Sequence, residues 1–335
     1  KNVEFRTGLK YTQTISEEFI DNEINKGLYI YRENLKAIYA QLSGNIFSID
    51  WMAGFRIEST DWKIDVPENR NGMYANLFPS VFFSKNFKNY SISASYSKRI
   101  QRQDISELNP NLKIDDKILT SQYGNVEQLK PRLFDSYELN FDFSFVTIST
   151  YFNRTKNPRV YYPVNIDTLL VTYVPQSAAY ENTYGINLKV PLNLGAFRIN
   201  FSWNSDIIKS SLISKETKTG YSNSAMINAN YSINKNLVIN GSVRYSLPEN
   251  YNYLQSKSNW VAYFGLGYQK QNSPFMFRLN IIDVFGRKYN TTYTYPLISE
   301  KNFNISLQRA LQLSVRYNFK LGKEFNQKSF DGLNR

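Results

Sequence analysis

The sequence contains no cysteine and no histidine. Without cysteine there is no disulfide framework, no thiolate nucleophile and no cysteine metal site. The lack of histidine removes the usual general base, the commonest zinc ligand and every Ser-His or Cys-His nucleophile pair. Catalysis by such groups is excluded, and no enzyme activity is expected. No run approaches about 18 consecutive apolar residues, so no helix long and apolar enough to cross a membrane is expected. A membrane β-barrel is untouched by that test, because it needs only alternate residues to be apolar over segments of about 10. A signal peptide is also missing at Lys1. An exported protein needs one, so either it has been cleaved or this is a piece of a longer chain.

What is present is aromatic and basic. The 335 residues include 26 Tyr and 23 Phe, with a net charge of +12. Apolar and polar residues alternate with period two from end to end. Phe197, Ile199, Phe201 and Trp203 oppose Arg198, Asn200, Ser202 and Asn204. Leu311, Leu313, Val315, Tyr317 and Phe319 oppose Gln312, Ser314, Arg316 and Asn318. In a strand such sets face opposite sides. The second set, rich in Ser, Asn, Gln and Arg, suits a wet lumen.

The pattern predicts fourteen strands, at 3–11, 34–44, 50–60, 74–84, 90–99, 135–143, 146–155, 181–190, 196–206, 221–232, 236–246, 259–270, 274–284 and 303–319. The connections alternate in length. Short ones lie at 45–49, 85–89, near Ser144, 191–195, 233–235 and 271–273. Long ones are 12–33, 61–73, 100–134, 156–180, 207–220, 247–258 and 285–302. Sorted loops of this kind belong to an outer-membrane barrel with short periplasmic turns and long extracellular loops. Both chain ends then fall on the periplasmic side. The fold class expected is all-β, a transmembrane antiparallel barrel. No constant repeat period appears, which argues against a propeller or solenoid.

Aromatics near strand ends, Tyr11, Trp51, Trp62, Tyr90, Tyr180, Tyr184, Tyr245 and Trp260, suit interfacial girdles against lipid and lipopolysaccharide. Plain β-propensity is the competing explanation. Arg6, Lys10, Arg56, Glu58, Arg198, Arg244, Arg278 and Arg316 fall on the lumenal side. Of these, Arg198 and Arg244 are candidate ligand contacts. Further candidates are the long-loop aromatics Tyr161, Tyr162, Tyr251, Tyr253, Tyr293 and Tyr295, where exposed rings have few structural duties. Sugars, peptides or aromatic ligands would stack on them. Loop self-packing or contact with a surface lipoprotein partner is the alternative. Asp104, Glu107, Asp115 and Asp116 do not have the spacing of a calcium loop and read as solvated charge. The basic residues form no tract, so nucleic acid is not an expected partner.

Several stretches resemble a known family. They are Leu77-Phe78-Pro79-Ser80-Val81, then Tyr96-Ser97-Lys98-Arg99-Ile100-Gln101-Arg102 running into Leu108-Asn109-Pro110. Gly124-Asn125, Leu129-Lys130-Pro131 and Tyr137-Glu138-Leu139 follow. The series continues with Tyr151-Phe152-Asn153-Arg154-Thr155, Tyr184-Gly185 and Asn280-Ile281-Ile282-Asp283-Val284-Phe285. In order and spacing these resemble the barrel region of TonB-dependent outer-membrane receptors, in particular the Bacteroidetes-type outer-membrane β-barrel family. The resemblance implies a barrel of about 22 strands around an N-terminal plug. It also implies uptake of a nutrient or chelate driven through TonB, with no bound cofactor. Residues 1–319 then form the C-terminal part of the barrel, and 320–335 a polar periplasmic tail. The plug, the TonB-contacting segment and about eight strands would lie upstream. A structural or secretion-assembly barrel and a self-closed 14-stranded porin are the competing readings.

Overall fold

In a computed structural model the described residues are 3–319, apart from 22–25, 67–68, 110–112, 117–119, 123–128, 167–170, 212–216, 252–253, 272, 286–287, 296–297 and 307–308. The chain opens with β1 (Val3–Asp21), β2 (Lys26–Ile46), β3 (Ile49–Val66), β4 (Arg70–Asn86) and β5 (Tyr90–Gln101). A one-turn helix α1 (Ile105–Leu108) and two short strands, β6 (Lys113–Asp116) and β7 (Thr120–Gln122), precede β8 (Arg132–Phe143) and β9 (Val146–Lys156). Then come β10 (Arg159–Ile166), β11 (Val171–Ser177), β12 (Tyr180–Leu194), β13 (Phe197–Ser211), β14 (Thr217–Ser232) and β15 (Leu237–Ser246). The last part holds β16 (Glu249–Tyr251), β17 (Leu254–Ser256), β18 (Asn259–Tyr268), β19 (Phe275–Ile282), β20 (Lys288–Tyr295), β21 (Ile298–Ser306) and β22 (Ala310–Tyr317).

Fourteen of these strands form one antiparallel meander. Its order is β1 to β5, β8, β9, β12 to β15, β18, β19 and β22, each paired with the next. Each of them overlaps one of the fourteen expected strands. The other strands belong to the long connections. β16, β17, β20 and β21 extend the sheet above β14 by successive pairing. β10, β11, β7 and β6 form a second small sheet.

Two expected loops are mostly ladder. β1 pairs with β2 as far as Asp21↔Lys26, within the expected connection 12–33. β3 pairs with β4 as far as Ile64↔Arg70, within 61–73. The connection 207–220 is shortened in the same way, since β13 pairs with β14 as far as Ser211↔Thr217. On β3 and the facing part of β2 the outward side of the extension carries charges, Asp61 and Lys63 opposite Asn34 and Arg32, so the alternation fades there while the backbone stays extended. Arg32 and Lys63 both reach Asp65, at 2.6 and 2.7 Å, and Lys36 lies 3.7 Å from Asp61. The expected strand 303–319 is two elements. Phe303 pairs with Thr291 on β20, whereas Leu311 pairs with Ile281 on β19. Apolar residues keep one parity across the break, so period alone gives no sign of it.

The register makes the wall two-faced. One row reads Val190, Phe201, Ile227, Val243 and Ala262 across five strands. The adjacent residues Lys189, Ser202, Met226, Arg244 and Val261 form the matching row on the other side. Aromatic rows edge the apolar face. Tyr96, Tyr137, Phe152 and Tyr184 stack in sequence with centroids 4.6, 5.8 and 4.8 Å apart. At the short-turn end Phe197 stacks on Tyr231 at 4.2 Å, and Phe87 on Tyr90 at 4.4 Å. Amphipathic rings in such rows suit the boundary between hydrocarbon and headgroups.

The short turns are tight. Ile46 pairs with Ile49 around Phe47 and Ser48, both at positive φ (52° and 60°). This is the type I′ backbone that follows the twist of the strands. Among the described residues β1 pairs only with β2, and β22 only with β19, so the sheet has two free edges. Leu9 on β1 is 82% exposed and Leu311 on β22 is 72% exposed, against 37% for Leu139 in the interior of the sheet.

Candidate ligand-binding site

Beyond the apolar band, β2, β3 and β4 continue and carry rings on their polar face. Tyr31, Trp62 and Tyr74 come together there with Ile64 and Asn76. Trp62 sits opposite Gly72 and lies over it: a Cβ at Gly72 would come within 2.6 Å of the indole. A glycine is therefore what lets the indole lie flat on the neighbouring strand. Tyr151 lies over Gly185 in the same manner.

The connection after β5 folds back onto this ledge. Arg102 anchors it, with Nη2 2.5 Å from Glu58 Oε2 and Nε 3.4 Å from Glu33 Oε1. Arg56 reaches Glu58 from the wall at 2.6 Å, and the Tyr31 hydroxyl donates to Glu33 at 2.9 Å. Burial opposes the Arg102 charge, but the hydrogen bond to Glu58 and the surrounding negative charge outweigh it and raise its pKa. Burial, and then the Glu33 charge, raise the Tyr31 pKa, so that the hydroxyl stays a donor. Both carboxylates are thus held in ion pairs.

The helix α1 is fixed by a capping box. The Asp104 carboxylate accepts from the Ser106 amide at 3.0 Å, and Glu107 accepts from the Asp104 amide at 3.1 Å. Glu107 also pairs with Arg159 of β10, and Asn109 donates to Glu18 of β1 at 2.9 Å. The expected solvated charge at Asp104 and Glu107 is therefore structural. Asp115 and Asp116 lie on β6, and their side chains fall outside the described residues. Leu108 and Leu129 pack with Tyr29 and Ile64 into a small core. Gln103 donates to the Leu129 carbonyl at 3.0 Å, and Asn157 to that of Pro131 at 2.9 Å.

These contacts border a half-open cavity of about 370 Å³, at the lower end of the size range of small-molecule sites. Three aromatic rings, the amides of Asn76, Gln103 and Asn157, and Lys130 line it, and among the described residues no carboxylate does. Such a lining offers stacking faces and hydrogen bonds.

The candidates named from the sequence fall elsewhere. Tyr161 and Tyr162 are on β10, opposite Pro175 and Val174. Tyr251 ends β16 and pairs with Leu254, which pairs in turn with Tyr293 on β20. The backbone thus brings Tyr251 and Tyr293 to one row, with Tyr295 two residues further along β20. Tyr253, and the side chains of the other five tyrosines, lie outside the described residues. Arg198 and Arg244 are on the polar face of β13 and β15, in different rows and away from the cavity. Tyr11, Trp51, Tyr90, Tyr180, Tyr184, Tyr245 and Trp260 share the parity of the apolar face. Trp62 does not, and the girdle expectation for it is corrected: it pairs with Glu33 on the polar side. Its even number, in step with Arg56, Glu58 and Thr60, was the available signal.

The sequence profile of the outer membrane protein β-barrel family matches residues 1–317. The chain belongs to that family. Among solved structures it is similar to the copper transporter OprC, at 11% identity and a TM-score of 0.69, over 95% of this chain and 54% of that one. It is also similar to the FrpB iron transporter from Neisseria meningitidis, at 14% identity and a TM-score of 0.61, over 95% of this chain and 52% of that one. The siderophore receptor PirA from Pseudomonas aeruginosa matches at 11% identity and a TM-score of 0.53, over 95% of this chain and 65% of that one. At such identities the likeness is one of fold, and the chain spans about half to two thirds of these proteins. All three are named as transporters or receptors rather than enzymes. No curated protein sequence matches.

Proposed function

We propose that the chain is the wall of a Bacteroidetes-type outer-membrane receptor that takes up a nutrient or chelate with energy passed through TonB. The observation that carries this reading is the latched connection. A two-faced wall needs only polar lining to be a scaffold or a diffusion pore. Here Arg102, Glu58 and Glu33 hold a folded segment over a ligand-sized cavity of rings and amides. In this reading the long connections are extracellular and the short turns periplasmic, with the tail 320–335 on the periplasmic side. Tyr161, Tyr162, Tyr251, Tyr253, Tyr293 and Tyr295 contribute to an outer ligand surface that a surface lipoprotein can cover. Arg198 and Arg244 line the path below. The aromatic rows sit against lipid and lipopolysaccharide, and a plug with upstream strands completes a barrel of about 22 strands.

The test has two parts. Cells lacking the complete protein are compared with cells lacking TonB on a panel of limiting nutrients, and the same growth defect is expected in both. The purified protein is then placed in planar bilayers, where a plugged receptor gives no steady current. A steady open-pore conductance, together with growth that is indifferent to TonB, would overturn the proposal in favour of a diffusion porin.

A further inference from the structure

At the short-turn end of the wall, β18 carries Gly265-Leu266-Gly267. Leu266 lies in the apolar row with Ile239 and Leu279, so both glycines fall on the polar face. Glycine inside a strand weakens it and calls for a reason. Here two successive side chains are missing from one face. Gly265 sits between Asn240 and Asn280, and a Cβ there would come within 2.6 Å of the Asn240 Oδ1 and 2.8 Å of the Asn280 Oδ1. Both amides lean into the vacated space. Gly267 sits between Val238 and Arg278, and its Cβ would meet only the Val238 carbonyl oxygen, at 3.9 Å. The space above it stays open. The result is a trough of about 720 Å³ floored by bare backbone. Asn230 and Asn240 stand on one side, Arg278 and Asn280 on the other, and Lys235 and Lys270 close it at the turns.

The charge around this trough is one-sided. Among the described residues no carboxylate lines it. From Ile207 to Phe319 the acids are Glu216, Glu249, Asp283 and Glu300, and none falls in a strand of the fourteen-stranded wall. At the other end of the molecule Arg56 and Arg102 are neutralised by Glu58 and Glu33. Arg278, Lys235 and Lys270 have no ion pair among the described residues. A guanidinium presents a fork that fits an oxyanion, and side-chain amides add donors of fixed direction. A concave site lined with one sign of charge also concentrates the opposite ion.

We propose that this trough binds a small solute bearing carboxylate or phosphate groups. Arg278 grips the oxyanion, the amides of Asn240 and Asn280 flank it, and Lys235 with Lys270 attract it from the turns. This goes beyond the uptake reading, because the site lies at the opposite end of the wall from the aromatic cavity and does not depend on what that cavity binds.

The test is calorimetric titration of the complete protein in detergent with inorganic pyrophosphate and, separately, succinate, at an ionic strength held constant with sodium chloride. Saturable binding of at least one is expected, and which one binds separates phosphate from carboxylate chemistry. Arg278→Gln should weaken it by about tenfold or more, as expected for a lost charge-assisted hydrogen bond, and Arg278→Lys by less. Gly267→Val should abolish it by filling the floor. Gly267→Ala, whose Cβ finds open space, keeps the fold and should weaken binding measurably. Arg6→Gln, on the far edge, should leave it unchanged. No saturable binding of either anion would overturn the proposal. So would equal affinity in the native protein, Arg278→Gln and Gly267→Ala.

Discussion

Replacing Phe201 by Arg tests the two-faced wall directly. On β13 the apolar row-ends are Phe197, stacked on Tyr231, and Ile207, which lies between Tyr184 and Tyr221. The ten residue steps between them span ~33 Å along the strand. At a tilt of ~40° that is ~25 Å along the membrane normal, the height of a barrel's apolar band. Phe201 lies near the middle of it, with Val190 and Ile227 on its flanks. A guanidinium at the midplane costs roughly 2–4 kcal/mol, against roughly 0–1 near an interface. Phe201→Arg should therefore destabilise by about 3 kcal/mol and Phe197→Arg by under about 1 kcal/mol. Ser202→Arg points to the wet side, between Lys189 and Met226. Its cost is a solvent-screened repulsion from Lys189, under about 1 kcal/mol. Urea unfolding of the complete protein in lipid vesicles, followed by tryptophan fluorescence, would give the three values. Equal costs at 201 and 202, or a larger cost at 202, would refute the register and the membrane reading together.

Other outcomes follow from the same geometry. Arg102→Ala leaves Glu58, whose side chain is 9% exposed, without its shortest ion pair, and should cost about 3 kcal/mol; hydrogen exchange should rise at Gln103–Asn109 and not in β2–β4. Changing Phe47-Ser48 to Asn-Gly relieves two positive-φ side chains and should stabilise by about 1 kcal/mol in the same unfolding assay. Trp62→Ala should weaken uptake or binding of the ligand that the growth panel identifies, whereas Trp51→Ala, on the apolar face, should not. A cysteine at Lys26 should react with a membrane-impermeant maleimide on intact cells, and one at Gln271 only after the outer membrane is opened.

The strands were legible because a sheet with one apolar and one wet face writes its period into the sequence. Each of the fourteen wall strands carries that signature in its middle. It fades at Asp61 and Lys63 on β3 and at Arg32 and Asn34 on β2, where the outward side becomes charged, and expected loops turned out to be ladder. The site was less legible. Trp62 looked like a boundary ring because its strand was expected to stop at residue 60. The cavity depends on Gln103, Leu129 and Lys130 returning to a wall they left at Gln101. No local pattern encodes that return. Its signals were indirect: Gly72, which makes room for an indole, and Asp104 with Glu107, spaced as a capping box.

The free edges lead to the last prediction. β1 offers an unpaired row of backbone groups beside Val3, Phe5 and Leu9, and β22 another beside Leu311, Leu313 and Val315. Each unpaired backbone group in hydrocarbon costs several kcal/mol, so neither edge can face lipid. Edge strands that are meant to stay free carry a proline, a bulge or blocking charges. β1 has no proline, and its pairing with β2 runs from Val3 to Asp21 without a bulge. β22 is likewise paired with β19 without a break from Ala310 to Tyr317. Both edges are built to receive a neighbour. If they received each other, fourteen strands would close, and strand number, tilt and shear would all have to agree with a tighter curve. The polar face would then crowd, because the connection anchored at Arg102 already occupies part of it. Strands from elsewhere in a larger barrel are the better fit. Cysteines at Thr7 and Leu313 should therefore fail to cross-link in the complete protein in membranes. Efficient cross-linking within a monomer would show that these edges meet and that the barrel closes with fourteen strands.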